Sequence, residues 1–73
     1  MKEITYEIVK NVGVISINER GWTKELNVVA FNEMDPKYDI REWSPDKKKM
    51  SKGIRLSQAE LDKLHEIIAA IGM

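Results

Sequence analysis

No cysteine occurs among the 73 residues. A disulfide framework and a thiolate-ligated zinc site are both excluded as sources of stability, and the absence fits a reducing compartment. Histidine occurs once, as His65, and no glycine-rich phosphate loop is present. Nucleophilic catalysis and cofactor binding lack their usual parts, so the chain is not expected to be an enzyme, to hold a cofactor or to take a small-molecule substrate. His65 stands near Asp62 and Glu66 at helical spacing, but metal sites need three or four converging ligands, so no metal is expected either. No apolar run approaches the roughly 18 residues of a membrane span. The opening MKEITYEIVK alternates charged and apolar residues and does not read as a signal peptide. A cytoplasmic protein without a membrane partner is expected.

Net charge is also missing: twelve basic residues balance twelve acidic ones. The balance conceals a segregation along the chain. Residues 1–36 carry four basic and six acidic side chains, and residues 57–73 carry one and three. Residues 37–56 carry seven (Lys37, Arg41, Lys47, Lys48, Lys49, Lys52, Arg55) against three, a local net charge of +4. Concentrated positive charge is the electrostatic footprint of a nucleic-acid partner.

What is present is 42% hydrophobic residues in a short chain. One domain spanning residues 1–73 is expected, with a core thin enough to need a partner. Apolar residues recur at a period of two in Ile4, Tyr6 and Ile8, in Val12 to Ile17, and in Leu26, Val28 and Ala30, the pattern of half-buried strands. Asn11 with Gly13 reads as a tight reversal, Asn18 to Gly21 as a second and Glu33 to Pro36 as a third. A strand follows at about Tyr38 to Trp43, then a lysine-rich loop opened by Ser44-Pro45-Asp46, then an edge segment Gly53 to Leu56. Strands thus occupy about 3–56 and a helix about 57–71. Ser57-Gln58-Ala59-Glu60 has capping-box spacing at the helix start. Leu61, Leu64, Ile67, Ile68 and Ile71 continue at helical spacing. Leu64, Ile67, Ile68 and Ile71 spread further around the helix than one small sheet needs, which points to a two-fold homodimer through the helices.

Alternation along the strands decides which residues share a face. If Leu26, Val28 and Ala30, with Tyr38 and Ile40, form the core side, then Phe31, Lys37, Arg41 and Trp43 share the other, solvent-facing side. The two strands agree in register if their turn has an odd number of residues. Lys47, Lys48 and Lys49 lie beyond that surface. Interleaved basic and aromatic residues suit single-stranded nucleic acid, whose unstacked bases lie on aromatic rings while its phosphates meet cations. The same pattern also suits a sheet covered on both sides with Phe31 and Trp43 in the core, and an ordinary lysine turn.

KYDIREW (Lys37 to Trp43), a charged loop and KGIRLS (Lys52 to Ser57) leading into a terminal helix resemble the positive cofactor four family of transcriptional coactivators. The stretch from Gly21 onward, with WTKELNVVAFNEMDPKYDIREWSPD, is similar to the bacterial YdbC-type branch. The resemblance implies an α+β fold: a curved antiparallel sheet of four to five strands followed by one C-terminal helix, paired into a homodimer through the helices. It also implies single-stranded DNA lying across the sheets, without marked sequence preference. Arg41 matches the arginine of the D-I-R-E strand, Trp43 the aromatic after it and Lys52 the basic residue before the glycine. Trp22, Lys24, Phe31 and Lys37 follow from the YdbC-type pattern together with the face argument. The eukaryotic coactivator's serine-rich N-terminal tail has no counterpart, so the expectation concerns the DNA-binding core. The role implied is transcription regulation or handling of exposed single strands, in the cytoplasm or a nucleoid-associated pool. The alternatives are a dimeric protein-interaction module and a single-stranded RNA binder.

Overall fold

The computed structural model describes residues 5–72. Strands β1 (Tyr6–Ile17), β2 (Thr23–Phe31), β3 (Lys37–Trp43) and β4 (Ile54–Leu56) form one antiparallel sheet in sequence order, followed by helix α1 (Gln58–Ala70). This is the expected α+β architecture with four strands. Residues 3 and 4, where the first strand was expected to begin, lie outside the described residues.

The strand count is four because Asn11 and Gly13 do not reverse the chain. β1 runs through them and pairs with β2 along its whole length. Its 12 residues face nine of β2, and the surplus is taken up by three register shifts, between Ile8 and Lys10, Asn11 and Gly13, and Val14 and Ser16. A bulge adds one residue to one strand and increases the local right-handed twist. The true reversal is at Asn18, whose Oδ1 accepts from the amides of Arg20 (2.9 Å) and Trp22 (3.0 Å). Gly21 there adopts φ +82, a conformation a side chain would strain.

The bulges curl the sheet. Tyr6 pairs with Phe31 at one end of β2, and Trp43 pairs with Thr23 at the other. In a flat strand the eight-residue separation from Thr23 to Phe31 is about 26 Å. Yet the Tyr6 and Trp43 rings lie 5.3 Å apart, and the Tyr6 hydroxyl donates to the Lys47 carbonyl at 2.5 Å. The sheet is therefore strongly curled around one concave face, with β1 and β4 remaining its edges.

That face is the one bearing Phe31, Lys37, Arg41 and Trp43. The register pairs Val29 with Lys37, Asn27 with Asp39 and Glu25 with Arg41, across the five-residue connection 32–36. The shared parity agrees with the expectation, but the burial is inverted. Val29 and Trp43 are the buried hydrophobic residues among those described, and Glu25, Asn27 and Asp39 are buried beside them. Leu26, Val28, Ala30, Tyr38 and Ile40, expected to form the core side, are only half-buried on the convex face. Curling toward the odd-numbered residues encloses them and opens the other side.

The helix begins as its sequence indicates. Ser57 Oγ accepts from the Glu60 amide (3.1 Å), and Glu60 Oε1 accepts from the Ser57 amide (2.8 Å), a reciprocal cap that satisfies two otherwise free donors. The Tyr38 hydroxyl donates to Gln58 Oε1 at 3.0 Å. Beyond that anchor α1 buries none of its residues. Ile67, Ile68 and Ile71 are 52, 44 and 63% exposed. The chain is correspondingly open. Its radius of gyration is 13.4 Å, where a compact chain of this length has about 11 Å. Its accessible surface is 5832 Å², where a compact 8.4 kDa monomer has about 4,600 Å². No helix among the described residues is long and apolar enough to cross a membrane.

Candidate nucleic-acid interface

At the open end of the concave face a groove of about 900 Å³ runs between the β2–β3 connection and the loop before β4. Five cations line it, Lys37, Arg41, Lys48, Lys52 and Arg55, against the single carboxylate of Asp35. Tyr6, Phe31, Met34 and Met50 supply the apolar lining. The volume lies within the roughly 300–1,000 Å³ of ligand clefts.

The floor of the groove is an ion cluster. Asp39 is fully buried, and Arg41 grips it at two points, with Nε 2.6 Å from Oδ1 and Nη2 2.6 Å from Oδ2. Arg55 approaches the same carboxylate from β4, Nη1 to Oδ2 being 3.6 Å. Both guanidiniums lie over the Phe31 ring, Arg41 at 4.9 Å and Arg55 at 4.7 Å from its centroid. Cations at this range are attracted by the ring's negative face. Phe31 is thus the ring that the arginines hold in place.

Gly53 lets this cluster form. A Cβ there would stand 2.4 Å from the Ile40 carbonyl oxygen and 2.5 Å from Arg41 Cβ, so only a glycine allows β4 to lie this close to β3.

A second polar cluster gathers around the buried Glu25 and Asn27. Asn11 Nδ2 donates to Glu25 Oε1 (3.0 Å) and to Asn27 Oδ1 (2.7 Å), and Asn27 Nδ2 donates to Glu25 Oε1 (3.0 Å). The Thr23 hydroxyl and the Lys47 ammonium meet Glu25 Oε2. Burial raises the Glu25 pKa, but hydrogen bonds from Lys47, Thr23 and Asn27 and the charge of Lys47 outweigh it and hold the carboxyl below its ordinary value. The Lys47 backbone is left-handed at φ +63. In the same loop Asp46 Oδ1 accepts from the Lys48 amide (2.9 Å) and the Ser44 hydroxyl (2.7 Å). These two bonds hold the Asp46 pKa down, the amide contributing more than the hydroxyl.

Of the ten residues expected at a nucleic-acid surface, the structure brings Phe31, Lys37, Arg41, Lys48 and Lys52 to the groove. The other five are placed elsewhere. Trp43, expected to face solvent, is fully buried beneath Tyr6 and offers no ring face for stacking. Lys47 is drawn back onto Glu25. Lys24 has even parity and stands on the convex side opposite Glu42. Trp22 lies outside the groove with the Arg20 guanidinium 5.3 Å from its ring, and Lys49 is exposed on the loop away from it. Arg55, Tyr6 and Met50 were not anticipated. Extending the strand alternation past Gly53 would have found Arg55, which pairs with Asp39. Tyr6 and Met50 arrive only through the curl and the loop, for which the sequence carries no local signal. Among the described residues no group of three or more His, Cys, Asp or Glu side chains could hold a metal.

Residues 18–67 match the family described as Transcriptional Coactivator p15 (PC4). An uncharacterized protein of Treponema pallidum (strain Nichols) is 41% identical over 68 residues, covering 93% of this chain and 80% of the relative. The matched residues contain β2, β3, β4, the lysine loop and most of α1, so they include nearly all of the groove. The chain therefore belongs to the transcriptional coactivator p15 (PC4) family, a family of nucleic-acid-binding proteins.

Proposed function

We propose that the protein binds single-stranded DNA with little base preference, as a homodimer, and acts in transcription regulation or in the handling of exposed single strands in the cytoplasm. The observation that carries this reading is the groove, in which five cations surround an apolar lining of Phe31, Tyr6, Met34 and Met50. Cations neutralise phosphates with release of counterions, and an apolar aromatic wall has use only for bases that are free of a duplex stack. Lys37, Lys48 and Lys52 act as phosphate contacts at the rim, and Phe31 with its two arginines as the surface under the bases. The dimer is supported by the surplus exposed surface and by Ile67, Ile68 and Ile71 standing bare on α1, with Leu64 on the same helix contributing to the seam.

The test is binding of an oligo-dT strand against a matched duplex over a range of salt. Much tighter binding of the single strand is expected, weakening with a log–log slope of about −0.7 per phosphate contacted. Equal affinity for duplex would sink the reading. An RNA strand of the same sequence serves as competitor, and preferential capture of it would make RNA the ligand. No binding to either strand would leave a dimeric protein-interaction module as the better account.

A further inference from the structure

We infer that Arg55, not Arg41, is the guanidinium through which the groove holds a phosphodiester anion of its ligand, and that Arg41 is a positioning residue. This rests on the nucleic-acid reading above and names a contact within it. The two side chains lie together over Phe31 and share Asp39, but their donors are committed very differently. A guanidinium has five N–H donors. Arg41 directs Nε and Nη2 to Asp39 and turns Nη1 toward Met50 Sδ (3.3 Å) and the Ser51 carbonyl (3.4 Å). Its side chain is 12% exposed. It is consumed in holding β3, the Asp39 carboxylate and the loop before β4 in one arrangement.

Arg55 has 28% of its side chain exposed at the groove. Among the described residues its guanidinium makes one hydrogen bond, Nη2 to the Val29 carbonyl at 3.0 Å. Its Nη1 is buried and turned inward to Asp39 at 3.6 Å, so among the described residues the donor without a partner that stays open toward the groove is Nε. The carboxylate charge is already matched by the two-point pair with Arg41, so two cations share one anion and one positive charge is left over. That charge belongs to the guanidinium with unused donors. A phosphodiester oxygen is the ligand group that accepts a charge-assisted bond from such a guanidinium. Lys52, three residues earlier and on the same groove, supplies a second cation along the strand's backbone.

Arginine side-chain Nε–H resonances of the wild-type chain test this without altering the fold. On titration with oligo-dT the Arg55 signal is expected to shift and to exchange more slowly with water, while the Arg41 signal, already bonded to Asp39, moves little. If backbone amides at Lys37 and Lys52 respond but the Arg55 side chain does not, the assignment is overturned while DNA binding stands. If nothing responds, DNA binding falls and the assignment with it. A second measurement uses Arg55→Gln, whose affinity is expected to drop about tenfold at low salt, with the magnitude of the salt slope reduced by about 0.7. Arg41→Gln is expected to lower the unfolding midpoint and, in the folded protein, to reduce the magnitude of the salt slope by less than Arg55→Gln does. An Arg55→Gln protein that is folded and keeps the wild-type slope also overturns the assignment.

Discussion

Arg41 and Asp39 stand two residues apart on one face of β3 and close a two-point ion pair, each contact 2.6 Å, around a carboxylate with no solvent exposure. Exposed ion pairs contribute about 0–1 kcal/mol. This one is buried, and removing one member of a buried pair costs about 3–5 kcal/mol because the other charge is left uncompensated. Asp39→Asn keeps the shape and removes the charge that two arginines share. The variant is expected to lose about 3 kcal/mol of stability, read as a lower urea midpoint at an unchanged denaturant slope. Oligo-dT affinity should fall with it, since the arginines are no longer held over Phe31. A variant as stable as wild type would show that the cluster is ornamental to the fold.

Trp43 belongs to the core, and its substitution should report on folding rather than on ligand. Trp43→Ala is expected to cost about 3–5 kcal/mol. Among the described residues the indole Nε1 has no hydrogen-bond partner, so Trp43→Phe forfeits packing alone and should cost clearly less. Thermal unfolding of the pair checks both. If Trp43→Phe keeps wild-type stability but loses oligo-dT binding, the ring touches ligand after all.

Glu25 predicts a pH dependence whose sign follows from its surroundings. Its folded-state pKa lies below the ordinary value of 4.5, burial being outweighed by the hydrogen bonds and charge it receives. A carboxyl depressed in the folded state stabilises fully above its unfolded pKa and loses that stabilisation as pH falls through the folded value. Wild type should therefore lose more stability than Glu25→Gln as pH falls past 4.5 and through the lower folded-state value. Urea midpoints of the two proteins at each pH measure the difference, and parallel losses would place the acid sensitivity elsewhere.

The bare isoleucines of α1 make the assembly testable by substitution. Ile67→Glu with Ile71→Glu is expected to convert a dimer in sedimentation equilibrium into a monomer. The capping box and the Tyr38 to Gln58 bond lie at the other end of the helix and should survive. A wild-type chain that sediments as a monomer at every concentration would remove the dimer from the proposal.

Local signals carried much of this fold. The capping box at Ser57 and Glu60, the turn at Asn18 and the shared parity of Phe31, Arg41 and Trp43 are all properties of neighbouring residues or of strand alternation, and all are present in the structure. Burial was legible only in part, because alternation says which residues share a side and not which side the sheet curls toward. That depends on the bulges of β1. There Asn11 and Gly13 resembled a turn because the residues that suit a reversal also suit an irregular strand. Lys47 counted as a free cation because Glu25 lies 22 positions away in the sequence, and charge counting has no access to a partner that distant. Arg55 escaped for the opposite reason: in a basic segment it looked like one lysine-equivalent among seven, whereas its value lies in which of its donors remain open.

The bulges of β1 also bear on the fate of the chain when it is crowded or partly unfolded. β1 is an edge strand with Val9, Val12, Val14, Ile15 and Ile17 exposed, a composition that would template fibril growth if it lay flat. A steric zipper requires about six or seven residues in uninterrupted register. The longest regular stretch here is Tyr6 to Ile8, and each later one is two residues long. An incoming strand would fall out of step at every third position, so the same irregularity that curls the sheet around its groove keeps its longest apolar edge from seeding cross-β assembly.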